Sequence, residues 1–201
     1  LFFNLTNLEE EVMQKTTALL IVACFLAACR QNAPQPDPVK RGEYLVNIGG
    51  CHDCHTPKNM APGGMPEPNM TSMLSGHPAD MPYPIWKPED LQQNNAIALT
   101  NPMLTAWAGP WGVSFAANLT PDTTTGLGEW TEQSFMQAMR TGKHQGQPNG
   151  RDILPPMPWP SIKLMTDEDL KAIWAYLRSI PPIKNQAPLP VPPSMPPAPG
   201  D

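Results

Sequence analysis

Apolar positions recur at helical spacing in three stretches of the chain. Near the front, residues 40–48 (KRGEYLVNI) follow Asp37-Pro38, a helix-start pair, and carry Tyr44, Leu45 and Ile48 on one stripe before Gly49-Gly50 ends the run. Near the back, Leu170, Ile173, Trp174 and Leu177 fall at i, i+3, i+4 and i+7. Thr166-Asp167-Glu168-Asp169 gives that helix a capping residue and three acids in the first turn, where the helix dipole favours them, and Pro181-Pro182 stops it. Between the two, residues 130–141 predict a third helix, with Thr131 as N-cap, Phe135, Ala138 and Met139 on one face and Gly142 as the stop. The first and last helices must bury their apolar faces, and each other is the obvious surface. Gly42 has no side chain, so a large aromatic such as Trp174 has room against the backbone there.

The apolar run at 18–28 is of a different kind. It is apolar on all sides, follows Lys15 within residues 13–29 (MQKTTALLIVACFLAAC), and gives way abruptly to polar, proline-containing sequence. That order predicts an export signal over 13–28, and the run is well short of the roughly 20 residues a membrane-spanning helix requires. Leu26-Ala27-Ala28-Cys29 resembles the lipobox of bacterial lipoproteins, which makes Cys29 the expected lipidation site. Cleavage at Cys24 instead would leave too short an apolar region. Residues 29–38 then form a tether. Glu9-Glu10-Glu11 stand where a positive region belongs, so residues 1–12 are expected to be a non-native extension ahead of a start at Met13.

Composition narrows the picture further. Charged residues are 15% of the 201, and the 28 prolines, about 14%, stand against about 5% in ordinary proteins, so a globular but loop-rich chain is expected. The net charge of -5 comes with no basic stripe, which excludes nucleic acid as a partner. Of four cysteines, only Cys51 and Cys54 fall within the region of the helices, too close together to make a disulfide framework.

Those two belong to Cys51-His52-Asp53-Cys54-His55, a C-x-x-C-H run, the attachment sequence for c-type haem. The spacing follows from the chemistry: two thiols add to the two porphyrin vinyl groups, and the next histidine is carried beneath the iron. A zinc site would need a second ligand pair, and His77 and His144 with no further cysteine do not make one. A thioredoxin-like pair would follow a strand, whereas here a helical stretch precedes. One covalent haem c is therefore expected on Cys51, Cys54 and His55, with His52 solvated.

With these motifs in place, the chain resembles the class I c-type cytochromes. Within them it is most similar to monohaem cytochrome c lipoproteins and to the cytochrome c domains of membrane-bound dehydrogenase subunits. The resemblance rests on RGEYLVNIGGCHDCHTPK, on NLTPDTTTGLGEWTEQSFMQAMRTGKHQG and on LPPMPWPSIKLMTDEDLKAIWAYLRSIPP. It implies an all-α cytochrome c fold over 39–184, with crossing terminal helices around the haem, enlarged by a loop-rich insert at about 60–118 and followed by a proline-rich tail at 185–201. It also implies a methionine as second axial ligand. Met157, in Leu154-Pro155-Pro156-Met157-Pro158-Trp159-Pro160, lies in the matching context, and its prolines stiffen the loop that would present the sulfur. Met73 and Met103, in the insert, are the rivals; Met136 and Met139 read as core. Met70, Met73 and His77 also have the softness to hold copper(I), although such methionines more often fill gaps.

The function so implied is electron transfer by a His/Met-ligated carrier tethered by lipid to a periplasm-facing membrane surface in a respiratory chain. A quinol-oxidising complex or dehydrogenase would be the donor and a terminal oxidase or another cytochrome the acceptor. One alternative is a cytochrome subunit of a sugar or alcohol dehydrogenase. Another is a haem enzyme or gas sensor with an open iron position.

Overall fold

A computed structural model describes residues 11–17, 37–82, 90–91 and 96–193. The chain divides into two units, 1–36 and 37–201. In the first, residues 11–17 are helical, with Glu11 and Lys15 paired one turn apart at 3.7 Å. Cys24, Cys29 and the apolar run from Ala18 lie outside the described residues. Among those that are described, no helix is long and apolar enough to cross a membrane.

In the second unit, α1 (Pro38–Ile48) begins where Asp37 accepts a hydrogen bond from the Val39 N–H at 2.9 Å, with Pro38 in the first turn where a missing donor costs nothing. The helix buries Gly42, Leu45 and Val46, whereas Tyr44 and Ile48 are 53% and 62% exposed. The expected stripe is therefore rotated, and Gly42 gives the reason. A Cβ there would lie 1.9 Å from the Ala172 carbonyl oxygen and 2.7 Å from the Tyr176 Cβ, so the contact is centred on the glycine. The side chain at the glycine is Tyr176, not Trp174.

The partner in that contact is α5 (Asp167–Ser179), capped by Thr166, whose hydroxyl accepts from the Asp169 N–H at 3.1 Å. It buries Leu170, Ala172, Ile173, Trp174, Tyr176 and Leu177. Trp174 turns instead to Phe135, with ring centroids 5.4 Å apart. Phe135 comes from α3 (Glu132–Thr141), which opens on a reciprocal Thr131–Ser134 capping box and closes on Gly142 at φ 70°. These three helices supply most of one apolar core, completed by Leu74, Leu127 and Ile180, with Met73, Met136 and Met139 packed against it.

The fold is helix-rich but not all-α, which corrects the expectation. Among the described residues the region after the attachment motif carries five short strands. β1 (Lys58–Met60) pairs antiparallel with β2 (Pro66–Pro68), and β3 (Leu99–Thr100), β4 (Ala106–Gly109) and β5 (Gly112–Phe115) form a second antiparallel sheet in that order. Two to four residues each, they are too short to declare themselves by alternation. The proline-rich segment after α5 runs back to this sheet, where Val191 and Val113 exchange backbone hydrogen bonds at 2.8 and 2.9 Å.

Candidate functional site

The C-x-x-C-H run forms a single helical turn, α2 (Cys51–His55). Gly49 and Gly50 join it to α1 by donating to the Leu45 and Asn47 carbonyls, and Gly50 takes φ 67°, a left-handed conformation that a side chain resists. One turn of helix brings Cys51, Cys54 and His55 together on a short arc. Cys51 and Cys54 are free and partly buried; burial pushes the Cys51 thiol up to about 11 and raises Cys54 as well.

His55 carries the most informative contact. Its ring is buried and its Nδ1 lies 2.8 Å from the Ala117 carbonyl oxygen. A carbonyl only accepts, so Nδ1 bears the hydrogen and Nε2 keeps its lone pair. Burial also lowers the pKa of the imidazole, which holds it in the neutral form a metal requires. A histidine fixed in this tautomer by a backbone carbonyl, beside two unpaired thiols on one turn, is the donor set that covalent haem demands. The residues fit the group.

The frame around the turn is polar and buried. The Thr56 hydroxyl accepts from the Leu74 N–H at 3.0 Å and bonds His52 Nδ1 at 2.9 Å. The His55 carbonyl accepts from Gly76, the Ala116 carbonyl from His77 and the Leu74 carbonyl from Leu119, so segments 74–77 and 116–119 hold both the histidine and the carbonyl that orients it. Asn118, 4% exposed, anchors the second segment. Its amide donates to Ile183 O at 2.7 Å and its oxygen accepts from the Thr120 N–H and hydroxyl. Asn185, from the strap after α5, donates to the Ser75 and His77 carbonyls at 2.7 and 2.8 Å.

Sequence reasoning did not single out Asn118 or Asn185 for this role. The Asn118-Leu119-Thr120-Pro121-Asp122 segment held the available signal, since Asx and Thr side chains in such runs bond their own backbone two residues on. Lys58 was missed too. It is 9% exposed, and its ammonium donates to the Asp53, Thr56 and Met103 carbonyls.

Met157 is half-buried, in a loop tied down at several points. Its N–H donates to Leu154 O at 3.3 Å, Ile153 N–H reaches Gly142 O at 2.8 Å, and the Ser114 hydroxyl of β5 donates to Pro155 O at 2.5 Å. Trp159, the first residue of the short helix α4 (Trp159–Ile162), lies against Gly142, where a Cβ would come within 2.5 Å of its ring. Among the rivals, Met73 is packed on the core near the Tyr176 hydroxyl, while the Met103 carbonyl faces Lys58. His77 is fully buried, with Nδ1 on the Thr105 hydroxyl at 2.9 Å and Nε2 on Met81 O at 3.3 Å, so both ring nitrogens are engaged away from copper. His144 is half-buried, edge-on to Trp130.

No family model matches the chain. It is similar to the gluconate 2-dehydrogenase cytochrome c subunit of Pantoea cypripedii, at 30% identity over 82% of this chain and 28% of that protein. It is also similar to the fructose dehydrogenase cytochrome subunit of Gluconobacter japonicus, at 32% over 87% of this chain and 30% of the relative. The alcohol dehydrogenase (quinone) cytochrome c subunit of Gluconobacter oxydans matches at 26% over 84% and 27%. The chain spans less than a third of the length of these relatives.

Proposed function

The chain is a c-type cytochrome related to the cytochrome subunits of gluconate, fructose and alcohol dehydrogenases, and from that premise we propose that it transfers single electrons through one covalent haem c. Cys51 and Cys54 would carry the thioether links, and His55 and Met157 the axial positions. The observation that carries this reading is the His55–Ala117 hydrogen bond, which prepares Nε2 as a ligand on the same turn as two free thiols.

Haem so bound supplies a one-electron couple and needs no bond to form or break in a substrate. The work of the chain's own residues is to keep that centre fixed and to exclude water. His55 is held by Ala117, and Met157 is offered from a ring-stiffened loop. A soft thioether and an imidazole as its ligands would favour the reduced state of the haem, which would suit a carrier between a dehydrogenase and a higher-potential acceptor. The names of the relatives favour a dehydrogenase as donor and a place for this chain as its cytochrome component, with no catalytic step of its own. A terminal oxidase or another cytochrome would receive the electron. Export, and a lipid tether at Cys29 on a periplasm-facing membrane surface, complete the proposal.

The test is a mass and a spectrum. Denatured purified protein is expected to weigh one haem more than its polypeptide, and the spectrum of the reduced protein is expected to stay the same under carbon monoxide. A bare polypeptide mass would overturn the reading. A full carbon monoxide shift would replace it with an enzyme or sensor that has an open iron position.

A further inference from the structure

Lys58 sits directly after the attachment turn, on β1, and is nearly closed off from solvent. Its three partners are all main-chain carbonyls: Asp53 and Thr56, at the C-terminal end of the haem-attachment turn, and Met103, from the loop between β3 and β4. The ion pairs among the described residues do not include it. An ammonium has three N–H donors, and here it meets three acceptors. A neutral amine would turn its lone pair onto one of those oxygens, so the geometry selects the charged form.

Burying a cation without a carboxylate partner is costly, and a methionine or leucine would fill the same space more cheaply. Capping the exposed carbonyls of a helix end recovers part of that cost. The charge is placed where it acts on the site. Its ammonium rests on the carbonyls of Asp53 and Thr56, the residues that flank Cys54 and His55 on the attachment turn.

We propose that Lys58 tunes the haem centre: a buried ammonium on the C-terminal carbonyls of the attachment turn, which favours the reduced state and raises the reduction potential. This rests on the electron-transfer reading above. On oxidation one electron passes to an external acceptor and the centre gains one positive charge beside the ammonium. On reduction by the dehydrogenase-type donor that charge is removed. Lys58 keeps its three hydrogens in both states, so no proton accompanies the electron at this residue. Lys58 is thus a positioning and tuning residue, touching the turn that holds the haem.

The experiment is a spectroelectrochemical titration of the haem-loaded full chain at constant ionic strength, comparing native protein with Lys58→Met, Lys58→Gln and Lys58→Arg. At the poise where native protein is half reduced, the ratio of reduced to oxidised haem is expected to fall about tenfold in the Met and Gln variants, as a unit charge acting through a protein interior implies. For a one-electron couple that is about 59 mV. The Arg variant is expected to stay within about twofold of native, because it keeps the charge. Gln keeps donors for the carbonyls and folds without the charge, so it covers the case in which Met does not hold haem. Ratios within twofold of native in both neutral variants would overturn the proposal. So would an Arg variant that falls as far as they do, since Lys58 would then act only as a tie to the Met103 loop. Native protein without covalent haem would instead overturn the electron-transfer reading itself.

Discussion

Around the attachment turn, position is fixed by buried polar atoms in a closed set of partners: His55 on Ala117, Thr56 on Leu74, Asn118 on Ile183 and Thr120, Asn185 on Ser75 and His77. Around Met157 it is fixed by proline rings, a tryptophan against a glycine and one side-chain hydrogen bond from Ser114. The two constructions differ in how they fail. A buried polar frame fails sharply, because removing one member leaves its partner unsatisfied in a low-dielectric interior. A proline-stiffened loop loses little when one side chain is cut back, since its rigidity lies in the backbone. In the proposed reading His55, the ligand that must stay on the iron, stands on the first construction, and the more weakly binding thioether of Met157 stands on the second.

The sharpest way to break the comparison is at Asn118. Asn118→Ala removes the shorter of the two donors to Ile183 O, leaving the Thr120 hydroxyl at 3.2 Å, and takes away the acceptor of the Thr120 N–H in the same step; it should cost about 3 kcal/mol, as expected when several buried hydrogen bonds are lost together. Urea unfolding of the haem-bearing protein measures it. A loss below about 1 kcal/mol would mean that the strap after α5 holds segment 116–119 without this side chain.

A weaker perturbation of the same frame is acid. His77 is fully buried, and burial lowers its pKa from the ordinary value near 6.5. Unfolded chains then bind a proton that the folded one resists. Stability contributed by neutral His77 is therefore complete above about pH 6.5 and is lost as pH falls through the lower, folded value. Protonation would also force Nδ1 to donate to a Thr105 hydroxyl that now donates to it. His77→Gln should flatten the stability–pH slope in this window by at most about 1.4 kcal/mol per pH unit, the limit for one proton. An unchanged slope would shift the acid sensitivity to His144, whose pKa burial also lowers.

What could be read from the chain beforehand divides along the same line. Asp37, Thr131, Thr166 and Gly142 act on neighbours within four residues, so caps and stops were legible, as was the C-x-x-C-H turn, whose chemistry is contained in five residues. The face of α1 was not, because Tyr44 and Ile48 are as apolar as Leu45 and only the contact of Gly42 with Ala172, 130 residues away, decides between them. The strands of the insert and the buried amides were illegible for the same reason. Pro66-Glu67-Pro68 has no strand pattern of its own, and a polar residue becomes core only when distant carbonyls surround it.

The smallest loss of stability is expected at Met157. Its side chain is only half-buried and its loop is set by the prolines and by Ser114, so Met157→Ala should cost less than about 1 kcal/mol in unfolding experiments on the haem-bearing protein. The spectroscopic effect should be complete. If its sulfur is the axial ligand, the oxidised protein has a weak far-red sulfur-to-iron band that Met157→Ala abolishes, and the potential falls because the thioether favours reduced iron. Met73→Ala and Met103→Ala leave the band in place, since Met73 is packed on the helical core and the Met103 carbonyl is turned to Lys58. If the band survives in Met157→Ala and vanishes in either of the other two, the insert supplies the ligand and the proline loop is only a wall. A large stability loss in Met157→Ala would erase the contrast with the attachment side, because the loop would then depend on its methionine as the turn depends on its polar frame.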